Sequence, residues 1–182
     1  MMAVGWYNVQ PQEILDYCLQ NLDGVVAAEN WGERGIFYNP DYTLKKGVYI
    51  LTIKERDGDN DRASNISRSG IFRVNLGVRK TTFTKMFSYI PKRPAAGEAI
   101  EMDYDFTELN KIMPHPVYAW MGWICVLNPS AETLGFLLGK TSCHATAERL
   151  PEPAETGKLP VPEEKSSGAS QKKSDWAVSW DI

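Results

Sequence analysis

The chain has 182 residues, of which 43% are hydrophobic and 24% charged, and carries a formal net charge of -3. Such a length fits one domain of roughly 100–200 residues plus a tail, and the composition excludes full disorder. With 20 basic against 23 acidic side chains, the chain lacks the clustered positive charge that drives nucleic-acid binding.

The first helix begins at Pro11, which suits a first helical turn, with Glu13 and Asp16 at the positive N-terminal end. Ile14, Leu15, Cys18, Leu19 and Leu22 recur at helical spacing, and Gly24 stops the helix. Strand-like runs follow at Val25–Ala28, Gly35–Tyr38 and Tyr49–Lys54, separated by turn chemistry at Asn30-Trp31-Gly32 and Asn39-Pro40-Asp41. Residues Arg56–Arg62 form a polar loop. The run from Gly70 to Val78 alternates Phe72, Val74, Leu76 and Val78 with Arg73, Asn75 and Gly77, which predicts a half-buried strand with a polar face. Thr81 is the expected cap of a short helix through Phe87. Residues 88–102 are a Pro/Gly-rich connection, and Asp105 or Thr107 begins a further short helix ended by Pro114. Trp123–Leu127 reads as a buried strand, and Ser130 with Thr133 opens a last helix to about Arg149.

This order lacks regular βα alternation. It predicts an α+β single domain, an antiparallel sheet with helices packed mainly on one face. Residues 1–150 hold that domain. Residues 151–182 read as a disordered or loosely draped tail rich in Pro, Ser, Lys and Glu. The tail's end, DWAVSWDI, alternates Trp176, Val178, Trp180 and Ile182 with polar or small residues. It is either an unpartnered sticky end or a short motif that adds to a sheet edge, its own or a partner's.

Cys18, Cys125 and Cys143 are scattered and odd in number, which argues against a disulfide framework or a cysteine zinc site. The N-terminus MMAVGWYNVQPQE lacks a basic start and an apolar stretch, and the longest apolar run, Val117–Leu127, is too short to span a bilayer. The expectation is a soluble, cytoplasmic protein with no membrane partner.

Two blocks are distinctive: Ser67-Arg68-Ser69-Gly70-Ile71-Phe72-Arg73-Val74-Asn75-Leu76-Gly77-Val78, and Met113-Pro114-His115-Pro116-Val117-Tyr118-Ala119-Trp120-Met121-Gly122-Trp123-Ile124-Cys125-Val126-Leu127-Asn128-Pro129. With Phe37-Tyr38-Asn39-Pro40 they resemble an uncharacterised family of small bacterial and fungal proteins known only as a domain of unknown function. The likeness runs over about residues 10–149. That family looks distantly similar to the MmcQ/YjbR group of double-wing proteins. The resemblance implies an α+β fold and no established activity. Where the family shows a Pro-Phe-Ala-Thr strand entry, this chain reads Lys45-Lys46-Gly47-Val48-Tyr49.

Chemistry concentrates around His115. Two flanking prolines stiffen its backbone, so the imidazole is a candidate acid/base or hydrogen-bonding group. Its structural alternative is a histidine that fixes the turn. Tyr118, Trp120 and Trp123 are candidate walls of a binding pocket, or else sheet core; in extended chain Tyr118 and Trp120 share a face. Arg73 and Asn75, roughly 7 Å apart on one strand face, could orient a polar ligand end, with Arg68 nearby. The alternative for Arg73 is an ion pair with Asp57, Asp59 or Asp61. Those three aspartates lack the glycine and glutamate of an EF-hand loop. Cys125 reads as a buried inert thiol, and no nucleotide-loop or nucleophile-elbow motif is present. Neither a cofactor nor a metal is expected.

These residues point to a small-molecule-binding α+β domain. In one version it is a cofactor-independent enzyme of lyase, isomerase or cyclase type in specialised metabolism, with His115 as its acid/base or hydrogen-bonding group. The alternative is a non-enzymatic module that docks protein or nucleic acid, the latter disfavoured by charge.

Overall fold

A computed structural model describes residues 9–30, 32–45 and 47–145, with side chains of the last helix described to Leu138. The tail 151–182, its tryptophans, Trp6, Trp31 and the side chain of His144 lie outside the described residues.

Helix α1 spans Pro11–Asn21. Its start is closed by a capping box in which the Gln10 N–H donates to Glu13 Oε2 at 2.7 Å. Ile14, Leu15 and Cys18 are buried, whereas Leu19, expected on the same face, is largely exposed. A six-stranded antiparallel sheet follows: β1 (Val25–Asn30), β2 (Glu33–Tyr38), β3 (Val48–Lys54), β4 (Arg73–Gly77), β5 (Met113–Pro114) and β6 (Trp123–Leu127), in the spatial order β1-β2-β3-β4-β6-β5. Between β4 and β5 lies α2 (Lys80–Phe87), and α3 (Ala131–Ala145) follows β6. The fold is α+β, as the element order implied.

Cross-strand pairing sorts the sheet into two faces. Ile36, Leu51, Ile53, Val74, Leu76, Ile124 and Val126 share one, and with Ile14, Leu15, Leu134, Leu137 and Leu138 they join a single apolar core. Each fully buried aliphatic side chain of this kind contributes about 1.5–3 kcal/mol. The other face carries three rows running across the strands. Phe37 and Tyr49 are paired in the first, with Gly77 paired to Trp123 beyond them. Gly35, Thr52, Asn75 and Cys125 make the second. Glu33, Lys54 and Arg73 occupy the third.

Three expectations need correction. The polar side of β4 is not a solvated face, because all five of its residues are buried. Other polar groups cover it. No helix forms between Asp105 and Met113: Asp105 Oδ1 accepts hydrogen bonds from the Thr107 N–H at 2.9 Å and hydroxyl at 2.6 Å, a local turn that competes with helix. Thr81 is not the α2 cap, since the helix already begins at Lys80 after Arg79. By contrast, α3 starts as expected, with Ser130 Oγ accepting the Thr133 N–H at 3.2 Å. Among the described residues no helix is long and apolar enough to cross a membrane.

Candidate functional site

The middle of the row-bearing face is occupied by a guanidinium. Arg73 is 0% exposed, a position that a charged side chain holds only when its donors are satisfied. They are. Nε donates to Asn75 Oδ1 at 2.7 Å, Nη1 to Asp61 Oδ1 at 3.0 Å and to Ser64 Oγ at 2.9 Å. Nη2 donates to Asp61 Oδ2 and faces His115 Nε2 at 3.1 Å. The pairing with Asp61 is thus bidentate. Asn75 passes the chain on, donating to Thr52 Oγ1 at 3.0 Å. Lys54 Nζ bridges Asp61 at 3.2 Å and Glu33 at 2.9 Å. Two acids and two bases therefore form one connected group with no net charge.

Burial alone would raise the Asp61 carboxyl, but the Arg73 charge and hydrogen bonds, with Lys54 beside them, hold it well below the usual carboxylate range. Of the three aspartates in the polar loop, Asp61 is the one that pairs with Arg73. Asp57 instead accepts the N–H groups of Ile66 at 2.9 Å and Ser67 at 3.1 Å, which shapes the loop.

His115 lies at the end of β5, where its N–H donates to the Trp123 carbonyl at 3.0 Å. Its ring is 2% exposed. Nδ1 accepts the backbone N–H groups of Val117 and Tyr118, both at 3.1 Å, so the imidazole caps the tight turn that follows. That turn, Ala119–Met121, ends at Gly122 with φ 85°. A Cβ there would sit 2.7 Å from the Val78 carbonyl oxygen, so only glycine fits. Nδ1 accepts from two backbone N–H groups, so the single proton of the neutral ring sits on Nε2, the side that faces Arg73 Nη2. A second proton, on Nδ1, would displace both of those turn hydrogen bonds. Burial first, and the Arg73 charge second, push the His115 pKa well below its ordinary value, against a smaller opposing effect of Asp61.

Tyr118 packs on the imidazole with ring centroids 4.9 Å apart. Burial and the negative charges of Asp61 and Glu33 push its hydroxyl up to about 12. Tyr49 is raised likewise, by burial and then by Glu33. Tyr49 touches Phe37 at 4.2 Å between centroids and approaches Trp123 edge-on at 6.5 Å, across the side-chain-free Gly77. Glu33, Tyr49, Lys54 and Tyr118 are half-buried and form the part of this group that solvent reaches.

Arg73, Asn75, His115 and Tyr118 are thus brought together, and Trp123 joins through the aromatic row. Trp120 is not: the turn at 119–121 replaces the extended chain that would align it with Tyr118, and Arg93 lies over its ring at 5.1 Å. Arg68 is exposed and donates to the carbonyls of Asn65 at 2.8 Å and Thr107 at 3.1 Å. Cys125 is buried in β6, and burial pushes its thiol up to about 12. Among the described residues no group of three or more His, Cys, Asp or Glu side chains could hold a metal ion.

Sequence reasoning passed over Thr52, Lys54, Ser64, Glu33 and Tyr49. One signal was available. Thr52 and Lys54 alternate with Leu51 and Ile53, giving β3 the same polar side as β4. Ser64 had none, because a serine in a polar loop carries no periodicity.

Comparison with curated proteins and with solved structures returned no match. A family model covers residues 9–149, the span that contains every residue of the group just described, and the chain belongs to that family of unknown function, DUF6194.

Proposed function

We propose that the row-bearing sheet face binds a small molecule. What supports this reading is that Arg73, Asn75, His115 and Tyr118, distant in sequence, form one hydrogen-bonded and stacked group with half-buried side chains at its margin. In this reading the buried Arg73–Asp61–Asn75–His115 layer is a rigid base. Tyr49 and Tyr118 supply ring faces above it, with Trp123 behind them, and Glu33 and Lys54 supply the polar end. The acids and bases of the group balance. The ligand class that fits is therefore a neutral, planar molecule with hydrogen-bonding edges, not a strong ion.

His115 serves in this reading as a hydrogen-bonding and turn-fixing group and not as a proton relay, because Nδ1 is taken up by two backbone N–H groups and Nε2 is buried against the Arg73 guanidinium. The domain is then a binding domain first, and any reaction would rest on shaping the bound molecule.

The test is an NMR screen of the full chain with neutral heteroaromatic amides and imides such as nicotinamide and uracil. Binders should shift signals of Tyr49, Lys54, Tyr118 and the Trp123 indole together, and Tyr118→Ala should abolish those shifts while the protein stays folded. Perturbations that fall elsewhere, or that persist in Tyr118→Ala, would overturn the proposal.

A further inference from the structure

We infer that the open edge of the sheet pairs with the same edge of a second copy of the chain, β1 against β1 about a two-fold axis at Ala27. The two ends of the sheet differ. At one end β5 is two residues long and contains Pro114, which has no N–H to offer. At the other end β1 is six residues long, has no proline, and pairs with β2 without a register shift. Its last four residues are exposed. Within the strand itself there is no proline, no lysine and no bulge, and the single charge is Glu29.

The register shows which groups are open. The Asn39 N–H donates to the Gly24 carbonyl at 2.9 Å, in line with the pairs Val25↔Tyr38 to Asn30↔Glu33. Antiparallel strands alternate, so Val26, Ala28 and Asn30 bond inward to β2, and Val25, Ala27 and Glu29 turn their N–H and C=O outward. Among the described residues, no hydrogen bond to those outward groups is found.

A second β1 can satisfy them only where outward residues oppose outward residues. Centring the pair on Ala27 opposes Val25 to the other copy's Glu29, Ala27 to Ala27, and Glu29 to Val25. This uses every outward group of the strand and forms six hydrogen bonds. The two small alanines meet at the axis. The two Glu29 carboxylates stand roughly 14 Å apart along the strands, beyond a Debye length of about 10 Å at 0.1 M salt. Sliding the register one way loses a pair and makes the two glutamates diagonal neighbours, then sets them face to face. Sliding it the other way also loses a pair. The strand's charge and hydrogen-bonding pattern is therefore complementary to itself in one register. The same alternation keeps the row-bearing faces of both copies on one side of a continuous sheet. A six-residue seam is far smaller than a permanent dimer interface, so the pairing is reversible and concentration-dependent.

The test is sedimentation equilibrium of the full chain up to about 1 mM, the range of weak complexes. The mass should rise from 20.5 kDa toward twice that value. Ala27→Pro removes only an outward N–H and should stay folded and monomeric; Ala27→Lys, which sets two like charges at the axis, should do the same by a different route. Ala28→Pro removes an inward N–H and should unfold the β1–β2 hairpin. A mass of 20.5 kDa at every concentration would overturn the proposal, as would association that survives both Ala27 substitutions, or an Ala28→Pro chain as stable as Ala27→Pro. A full chain that stays monomeric while one ending at residue 174 dimerises through Ala27 would also count against it, giving the edge to the C-terminal segment.

Discussion

Replacing Arg73 with methionine removes the centre of the buried group while keeping most of its volume. Asp61 then loses both bidentate bonds, and Asn75, Ser64 and His115 each lose a partner. Breaking one side of a buried ion pair costs about 3–5 kcal/mol. Lys54 remains 3.2 Å from Asp61 and offsets part of this, which places the expected cost near the lower end, about 3 kcal/mol. With a urea m-value of about 2 kcal/mol/M for a domain of this size, the midpoint should fall by about 1.5 M. Urea unfolding followed by tryptophan fluorescence reads this directly. The double variant Arg73→Met, Asp61→Leu removes both charges together and should be more stable than Arg73→Met alone, because no uncompensated carboxylate is left. An Arg73→Met midpoint within 0.5 M of the parent, roughly 1 kcal/mol, would refute the reasoning. So would a double variant weaker than the single one.

Two further predictions concern the His115 turn. The folded His115 pKa lies below its unfolded value of about 6.5, so the unfolded chain binds more protons in mild acid. The associated stability is complete above that pH and falls as pH drops toward the folded pKa, by up to about 1.4 kcal/mol per unit. The urea midpoint should be lower at pH 5.0 than at pH 7.5 in the parent, and the difference should shrink in His115→Gln. Asp61, also depressed, acts in a lower window: its stability is present above about 3.9 and is lost only below that. Gly122→Ala adds a Cβ 2.7 Å from a backbone oxygen at φ 85°; a thermal melt should show Tm lowered by about 5–10 °C, and an unchanged melt would contradict the turn geometry.

Periodicity made the fold legible and the burial of its polar side illegible. Alternation in residues 72–78 locates β4 and separates its two faces, but it cannot say whether the polar face meets water or other polar groups. What covers Arg73 comes from Asp61 and Ser64 in a loop and from His115 just after β5. Those are tertiary contacts between segments with no pattern of their own. The same limit explains the missing helix after Asp105, where a side chain two residues away takes the backbone N–H. Prolines on both sides of His115 did mark a stiff turn. They could not reveal that the ring itself holds that turn through Nδ1.

The most direct measurement is the protonation of His115 in the folded chain, followed by two-bond ¹H–¹⁵N NMR with His115→Gln to assign its signals. A ring buried against Arg73 and accepting the Val117 and Tyr118 N–H groups should still be neutral as the pH falls through the ordinary imidazole value of about 6.5. A titration centred near the ordinary value of about 6.5 would mean that the ring is solvated, and that the buried group around Arg73 is not assembled as described.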